Sequence, residues 1–256
     1  MRENLLPPAS RATHAQNVNR CSETRPTPET GSCWTFATAE TVESHYAIAT
    51  GSLQDLSEQQ IASCAANPKH CGGTGGCEGG TAQIGFEHII KAGGLTAEWT
   101  YPYVSGFGKD EKCALNMTQM KPAATVKSYV NVKGNDYPSL MAAIQKGPVA
   151  ISVDATTWSS YAGGIYDGCN VTSPTIDHAV QLVGYGEDHD GQYWVVRNSW
   201  GPSWGENGFI RVKRGDASCG VDTEPGQGSG CSGGPDKVKV CGMCGILFDN
   251  AYPVIQ

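Results

Sequence analysis

The sequence predicts an α+β fold in two halves, helical first and strand-rich second. Three observations predict it. Between Cys33 and Thr50, Thr35, Ala39, Val42, Tyr46 and Ala49 recur at helical spacing. After Pro148, Val149, Ile151 and Val153 alternate with Ala150 and Ser152 in a strand period. The breakers Gly93-Gly94 and Gly147-Pro148 fall where helical patterns stop. The halves span 31–124 and 125–256, and an atypical segment, 1–30, precedes them without a hydrophobic period.

The first helix starts at Cys33 and stops at Gly51, with Glu40 and Glu43 off its repeating face. Ser57-Glu58-Gln59-Gln60 reads as a capping box, Ser57 at the N-cap and Gln60 at the third helical position. A third helix covers Ala82–Lys91. A fourth opens at Asp136-Tyr137-Pro138-Ser139 and closes before Gly147-Pro148. Ala179–Tyr185 and Tyr193–Arg197 flank a turn at Asp188–Gly191 and form a hairpin. Phe209–Val212 is a further strand, and Gly226–Pro235 is a short flexible insert.

Composition excludes several classes. A formal charge of −7 argues against nucleic acid as a partner. The chain has no apolar run of about 18 residues or more, so no membrane span is predicted. The amino terminus lacks the basic-then-apolar pattern of a signal peptide. Eleven cysteines exceed cytosolic habit; ten remain once Cys33 is set aside, an even number that suits disulfides in an oxidising compartment. The sequons at Asn116 and Asn170 fit secretion and glycosylation. Zinc is the alternative use of cysteine, through Cys219, Cys231, Cys241 and Cys244, but only one C-x-x-C pair is present.

The chemistry lies in three short blocks. Gly31-Ser32-Cys33-Trp34 offers a thiol at a helix start, where unpaired N–H groups and the helix dipole favour a thiolate. Asp177-His178-Ala179-Val180 offers an imidazole to exchange the proton. Asn198-Ser199-Trp200-Gly201 offers an amide to orient the ring and a Trp200 indole to screen that bond. His178 follows Cys33 by 145 residues and Asn198 by 165. A structural cysteine, a polar filler histidine and a turn asparagine are the bland readings of the same three.

Together with Leu56–Gln60, Gly76-Cys77-Glu78-Gly79-Gly80, Tyr101-Pro102-Tyr103, Gly147-Pro148-Val149, Gly184-Tyr185-Gly186, Trp204–Gly208 and Cys244-Gly245, these blocks resemble the papain-like cysteine peptidases from Gly31 to the end. The resemblance implies a helical domain bearing Cys33, an antiparallel barrel-like domain bearing His178 and Asn198, and a cleft between them. It implies a secreted or lysosomal/vacuolar cysteine endopeptidase acting on peptides and proteins through a Cys33 acyl-enzyme. Such an enzyme is a monomer without metal or organic cofactor and is open to cystatin-like inhibitors. Gly31, Gly79 and Gly80 would lie along the substrate backbone. Asp177 would also contact substrate, and Ser152, Ile176, Ala179 and Asp249 would line the main specificity pocket. Asp249, in a turn before Tyr252-Pro253, would add a preference for Arg beside Phe or Leu. Cys64–Cys113 and Cys169–Cys244 are the implied disulfides.

One stretch departs from the family. Thr27 stands where a Gln would complete the oxyanion hole, with Gln16 the sole upstream substitute, and Thr30 stands where Cys77 would find its partner. Cys21 or Cys71 could replace that partner, and Cys219, Cys231 and Cys241 stay unassigned. A length-preserving scramble of Ser10–Thr30 between well-matched flanks reads as a reading-frame error, with real divergence as the alternative. The non-catalytic alternative is a papain-like homologue that binds peptides or protein partners. A secreted enzyme also implies that a leader and pro-segment were lost from this sequence.

Overall fold

The computed structural model describes residues 4–5, 31–215 and 218–256. The positions of Gln16, Cys21, Thr27 and Thr30 lie outside the described residues.

Helix α1 (Cys33–Thr50) ends at Gly51, whose φ of 74° lets its N–H reach the Ala47 carbonyl. The predicted face accounts for only part of its burial. Glu40, Glu43 and the stretch from Ala37 to His45 are all buried, while Ala49 at the far end is exposed. A helix packed between a sheet and other helices has no solvent face to define a stripe. Its hydroxyls are satisfied internally: Thr38, Thr41 and Ser44 donate to the carbonyls of Trp34, Ala37 and Glu40.

In α2 (Glu58–Cys64), Ser57 Oγ accepts from the Gln60 N–H at 2.9 Å. The other half of the capping box is missing. Gln60 instead accepts from the Thr96 N–H and donates to the Gly94 carbonyl, and the Ser57 N–H donates to the Thr96 carbonyl. Tertiary partners have displaced the local one. Helix α3 (Ala82–Ala92) stops at left-handed Gly93, and α4 (Tyr137–Ile144) is capped by Asp136 on the Ser139 N–H.

The strands are β1 (Asn4–Leu5), β2 (Val126–Asn131), β3 (Val149–Val153), β4 (Ile165–Tyr166), β5 (His178–Asp188), β6 (Gly191–Arg197), β7 (Phe209–Lys213), β8 (Cys219–Asp222), β9 (Val238–Cys241) and β10 (Asp249–Ile255). The main sheet runs β2-β10-β3-β5-β6-β7-β4, with β1 on β5; β8 and β9 form a separate ribbon. Its ends, β2 and β4, do not meet among the described residues, so the sheet is open and the expected barrel-like closure is absent.

Two cores lie on opposite faces of this sheet. Val149, Ile151 and Val153 of β3 join Trp158, Leu182 and Trp194 on one face. Ala150, Ala179 and Ala251 join Trp34, Val42 and Phe86 on the other. All five β3 residues are therefore buried, although the alternation alone predicts a half-buried strand. The alanines leave room for α1 to lie close against the sheet.

Cys64–Cys113 and Cys169–Cys244 are bonded as the resemblance implied. Cys71 bonds Cys231, and Cys219 bonds Cys241. The four cysteines of the zinc alternative are thus spread over three disulfides. Cys77 is also disulfide-bonded, and Cys71 is not its partner. Both sequon asparagines are exposed.

Candidate active site

Cys33 opens α1, whose N-cap residue Ser32 makes no side-chain capping bond. The Thr35 and Phe36 N–H groups donate to the Ser32 carbonyl, which leaves those of Cys33 and Trp34 for another acceptor. The Cys33 Sγ is that acceptor, and the packing of α1 on β5 adds a third donor: the sulfur sits against the N–H groups of Ala179, Trp34 and Cys33 itself. Cys33 is the free thiol among the described cysteines.

His178 is the first residue of β5, paired with Val153 of β3. Asn198 directly follows β6, the next strand of the sheet. Their side chains meet across that strand pair, His178 Nε2 to Asn198 Oδ1 at 2.8 Å. Asn198 Oδ1 also accepts from the Ser199 N–H at 2.8 Å. An amide oxygen only accepts, so Nε2 carries the hydrogen and Nδ1 of the neutral ring is the free base.

Aromatic rings enclose the imidazole. Trp200 stacks on it at 5.2 Å, Trp158 meets it edge-on at 6.2 Å, and Trp204 packs edge-on against Trp200. Trp158 was not singled out from sequence, because it belongs to none of the short blocks.

Burial pushes the Cys33 thiol up to about 11, with the three N–H groups opposing and the Asp177 carboxylate adding to the rise. Burial also draws His178 down to about 4, against the Asn198 bond. Each group alone is therefore held neutral. A thiolate–imidazolium pair has no net charge and loses less solvation than two separate ions. The helix dipole favours the thiolate end.

The predicted pocket residues divide. Asp249, Ser152 and Ala179 form one row across β10, β3 and β5. Asp249 starts a strand here and does not lie in the expected turn. Its carboxylate accepts from Gln83 Nε2 at 2.6 Å and Ser152 Oγ at 3.1 Å. Burial raises its pKa against those two bonds. Gln83 comes from α3 and carried no signal in the sequence.

Ile176 is not in this row. It is 1% exposed and packs against Gly245 and Val240. Asp177 accepts from the Ala155 N–H at 2.8 Å, which fixes the backbone before His178. Gly79 has a φ of 95°, a conformation that favours glycine. A Cβ on Gly80 would lie 2.8 Å from the Trp34 ring, so Gly80 is required for packing as well. Trp34 Nε1 donates to the Gly76 carbonyl, tying this glycine loop to the start of α1.

Comparisons with known proteins identify the family. A family profile described as papain family cysteine protease matches residues 8–228. Fruit bromelain of Ananas comosus is 38% identical over 88% of this chain and 55% of its own length. Pro-cathepsin H of Mus musculus is 40% identical over 75% of this chain and 56% of its own. The chain thus spans about half the length of the curated relatives it matches. The solved structure of the Ananas comosus bromelain protease in complex with the E64 inhibitor superposes with a TM-score of 0.71, at 32% identity over 94% of both chains. With thiol, imidazole and amide in the order and setting described above, the chain belongs to the papain family of cysteine proteases.

Proposed function

We propose that this protein hydrolyses peptide bonds with Cys33 as nucleophile, His178 as proton carrier and Asn198 as the group that orients it. The observation that carries this reading is the 2.8 Å bond from His178 Nε2 to Asn198 Oδ1, with Cys33 Sγ against the neighbouring Ala179 N–H. Nδ1 takes the thiol proton as sulfur attacks the scissile carbonyl carbon. The Cys33 N–H stabilises the oxyanion. The imidazolium then protonates the leaving amine, leaving a thioester on Cys33. His178 next removes a proton from water, which attacks the thioester and releases the acid and the thiol.

The substrate backbone lies along Gly79 and Gly80, with one side chain entering the pocket over Ser152, Ala179 and Asp249. Partners are peptides, proteins and cystatin-like inhibitors. The disulfides and exposed sequons support a lysosomal, vacuolar or extracellular setting. Thr27, in place of the oxyanion glutamine, favours a second reading, a peptide-binding homologue of low turnover.

Titration with an E64-type epoxide and turnover of a dipeptidyl aminocoumarin with a free amino terminus separate the two. Wild type should be labelled once, at Cys33, and should release the coumarin. Cys33→Ser should do neither while keeping its thermal transition. An unlabelled, inactive wild type overturns the enzymatic reading.

A further inference from the structure

The insert between β8 and β9 is not a loose loop. Its base is closed by Cys219–Cys241, and its tip reaches the helical half of the molecule. There Cys231 bonds Cys71, the Gly72 N–H donates to the Gly230 carbonyl at 2.9 Å, and the Ser232 N–H donates to the Lys69 carbonyl at 2.8 Å. Between base and tip the backbone lies on Ile176, so closely that a Cβ on Gly228 would fall inside the Ile176 carbonyl. On the far side, Gly72 presses on the Gly80 carbonyl, and the Gly75 N–H donates to the Gly79 carbonyl. The insert therefore passes over the residue before Asp177-His178 and ends on the segment that abuts the glycine loop. A cavity of about 1080 Å³ lies against it, with Thr81, Gln83 and Asp249 among its walls.

This makes a covalent arch. The strand-rich half, residues 223–237, the Cys71–Cys231 bond and the helical half form a closed ring over one end of the groove. Resting on the groove assignment made above, that end receives the substrate residues before the cut bond. A closed ring admits a chain only end-first, whether the chain threads beneath it or stops against it. An internal loop of a protein cannot be laid into the groove from above.

We propose that residues 223–237 are a disulfide-held strap that restricts the closed enzyme to short peptides and free amino termini. Reduction of Cys71–Cys231 releases it for cleavage within chains. Cys231 is exposed and Cys71 half-buried, so a thiol reductant has access. In that step a dithiol supplies two electrons and two protons, becomes its own disulfide, and leaves Cys71 and Cys231 as thiols.

The test compares a linear peptide, the same peptide cyclised through its backbone, and the dipeptidyl aminocoumarin. Wild type, with the bond verified by mass spectrometry, should cut the linear and dipeptidyl substrates and spare the cyclic one. Cys71→Ser/Cys231→Ser should raise the cyclic-to-dipeptidyl ratio by at least about tenfold, equivalent to 1.4 kcal/mol. If that variant fails to fold, a shortened insert joining Asp222 to Val238 through a Gly-Ser turn should give the same rise. Equal cleavage of cyclic and linear peptide by the oxidised wild type, or an unchanged ratio in the opened variants, overturns the strap. Loss of dipeptidyl turnover in wild type overturns the catalytic reading instead. The strap is then read by binding of labelled cyclic peptide to Cys33→Ser: exclusion when oxidised and binding when opened support it, and equal binding overturns it.

Discussion

Glu40→Ala tests how α1 is held in register with β6 beside Cys33. Glu40 lies on α1 downstream of Cys33, and Arg197 immediately precedes Asn198. Their side chains meet at 3.3 Å while 9% and 14% exposed. Burial raises the Glu40 pKa, and the Arg197 cation opposes that rise. A buried pair of this kind adds little over an apolar substitute; Arg197 keeps other partners and also acts on the Glu43 carboxyl, so losing the Glu40 contact costs about 1.5–3 kcal/mol, the range for a hydrogen bond to a charged group. For a chain of this size each kcal/mol moves the midpoint by about 2–4 °C. Glu40→Ala should therefore lower the thermal midpoint by about 6 °C, read by calorimetry at matched scan rates. Where unfolding is irreversible, the half-life at a fixed temperature should shorten in parallel. Glu40→Met/Arg197→Met should recover part of the loss, because the buried cation is removed together with its carboxylate. A drop of under about 2 °C in the single variant would refute the reasoning.

Asn198→Ala removes the acceptor of the His178 Nε2 bond and should lower kcat by about 10–100-fold with little change in fold, since a hydrogen bond to a charged group contributes about 1.5–3 kcal/mol; wild-type kcat in that variant would dismiss the orienting role. Burial raises Glu43 to about 8 and Glu98 to about 7, so these acids stabilise the fold below about 4.5 and that contribution is lost as pH rises through 7–8. His178 and His88, drawn down to about 4 by burial, stabilise it above 6.5 and lose that contribution as pH falls toward 4. The thermal midpoint should accordingly peak between about 4.5 and 6.5, and Glu43→Gln should flatten the alkaline side. A midpoint rising steadily to pH 8 would contradict this. Asp249→Ala should cut turnover of an Arg-containing substrate far more than its Phe counterpart, and the wild-type Arg preference should fade as the carboxyl protonates. Equal losses on both would assign Asp249 to structure alone, through its bonds to Gln83 and Ser152.

Much of this protein is written in short stretches of its chain. Helix starts and stops are local events, so Gly51, Ser57, Gly93 and Asp136 could be placed from residue type alone, and the cysteine, histidine and asparagine blocks carried their chemistry with them. What those stretches could not contain was anything requiring two distant segments to meet. The Gln60 side chain left its capping box for the 94–96 segment. Glu40 met Arg197 at the end of β6 and Glu43 met the Leu56 N–H, partners supplied by other segments. Ile176 turned toward Gly245, outside the row that Ser152, Ala179 and Asp249 form across the sheet. Trp158 closed over His178 from outside every motif. The Cys71–Cys231 bond, spanning 160 residues, has no sequence signature because disulfide pairing follows the approach of two backbones. Sequence determines which side chains can do chemistry and where elements begin. Long-range packing decides which of them face one another, because burial and pairing energies depend on neighbours that the chain order does not specify.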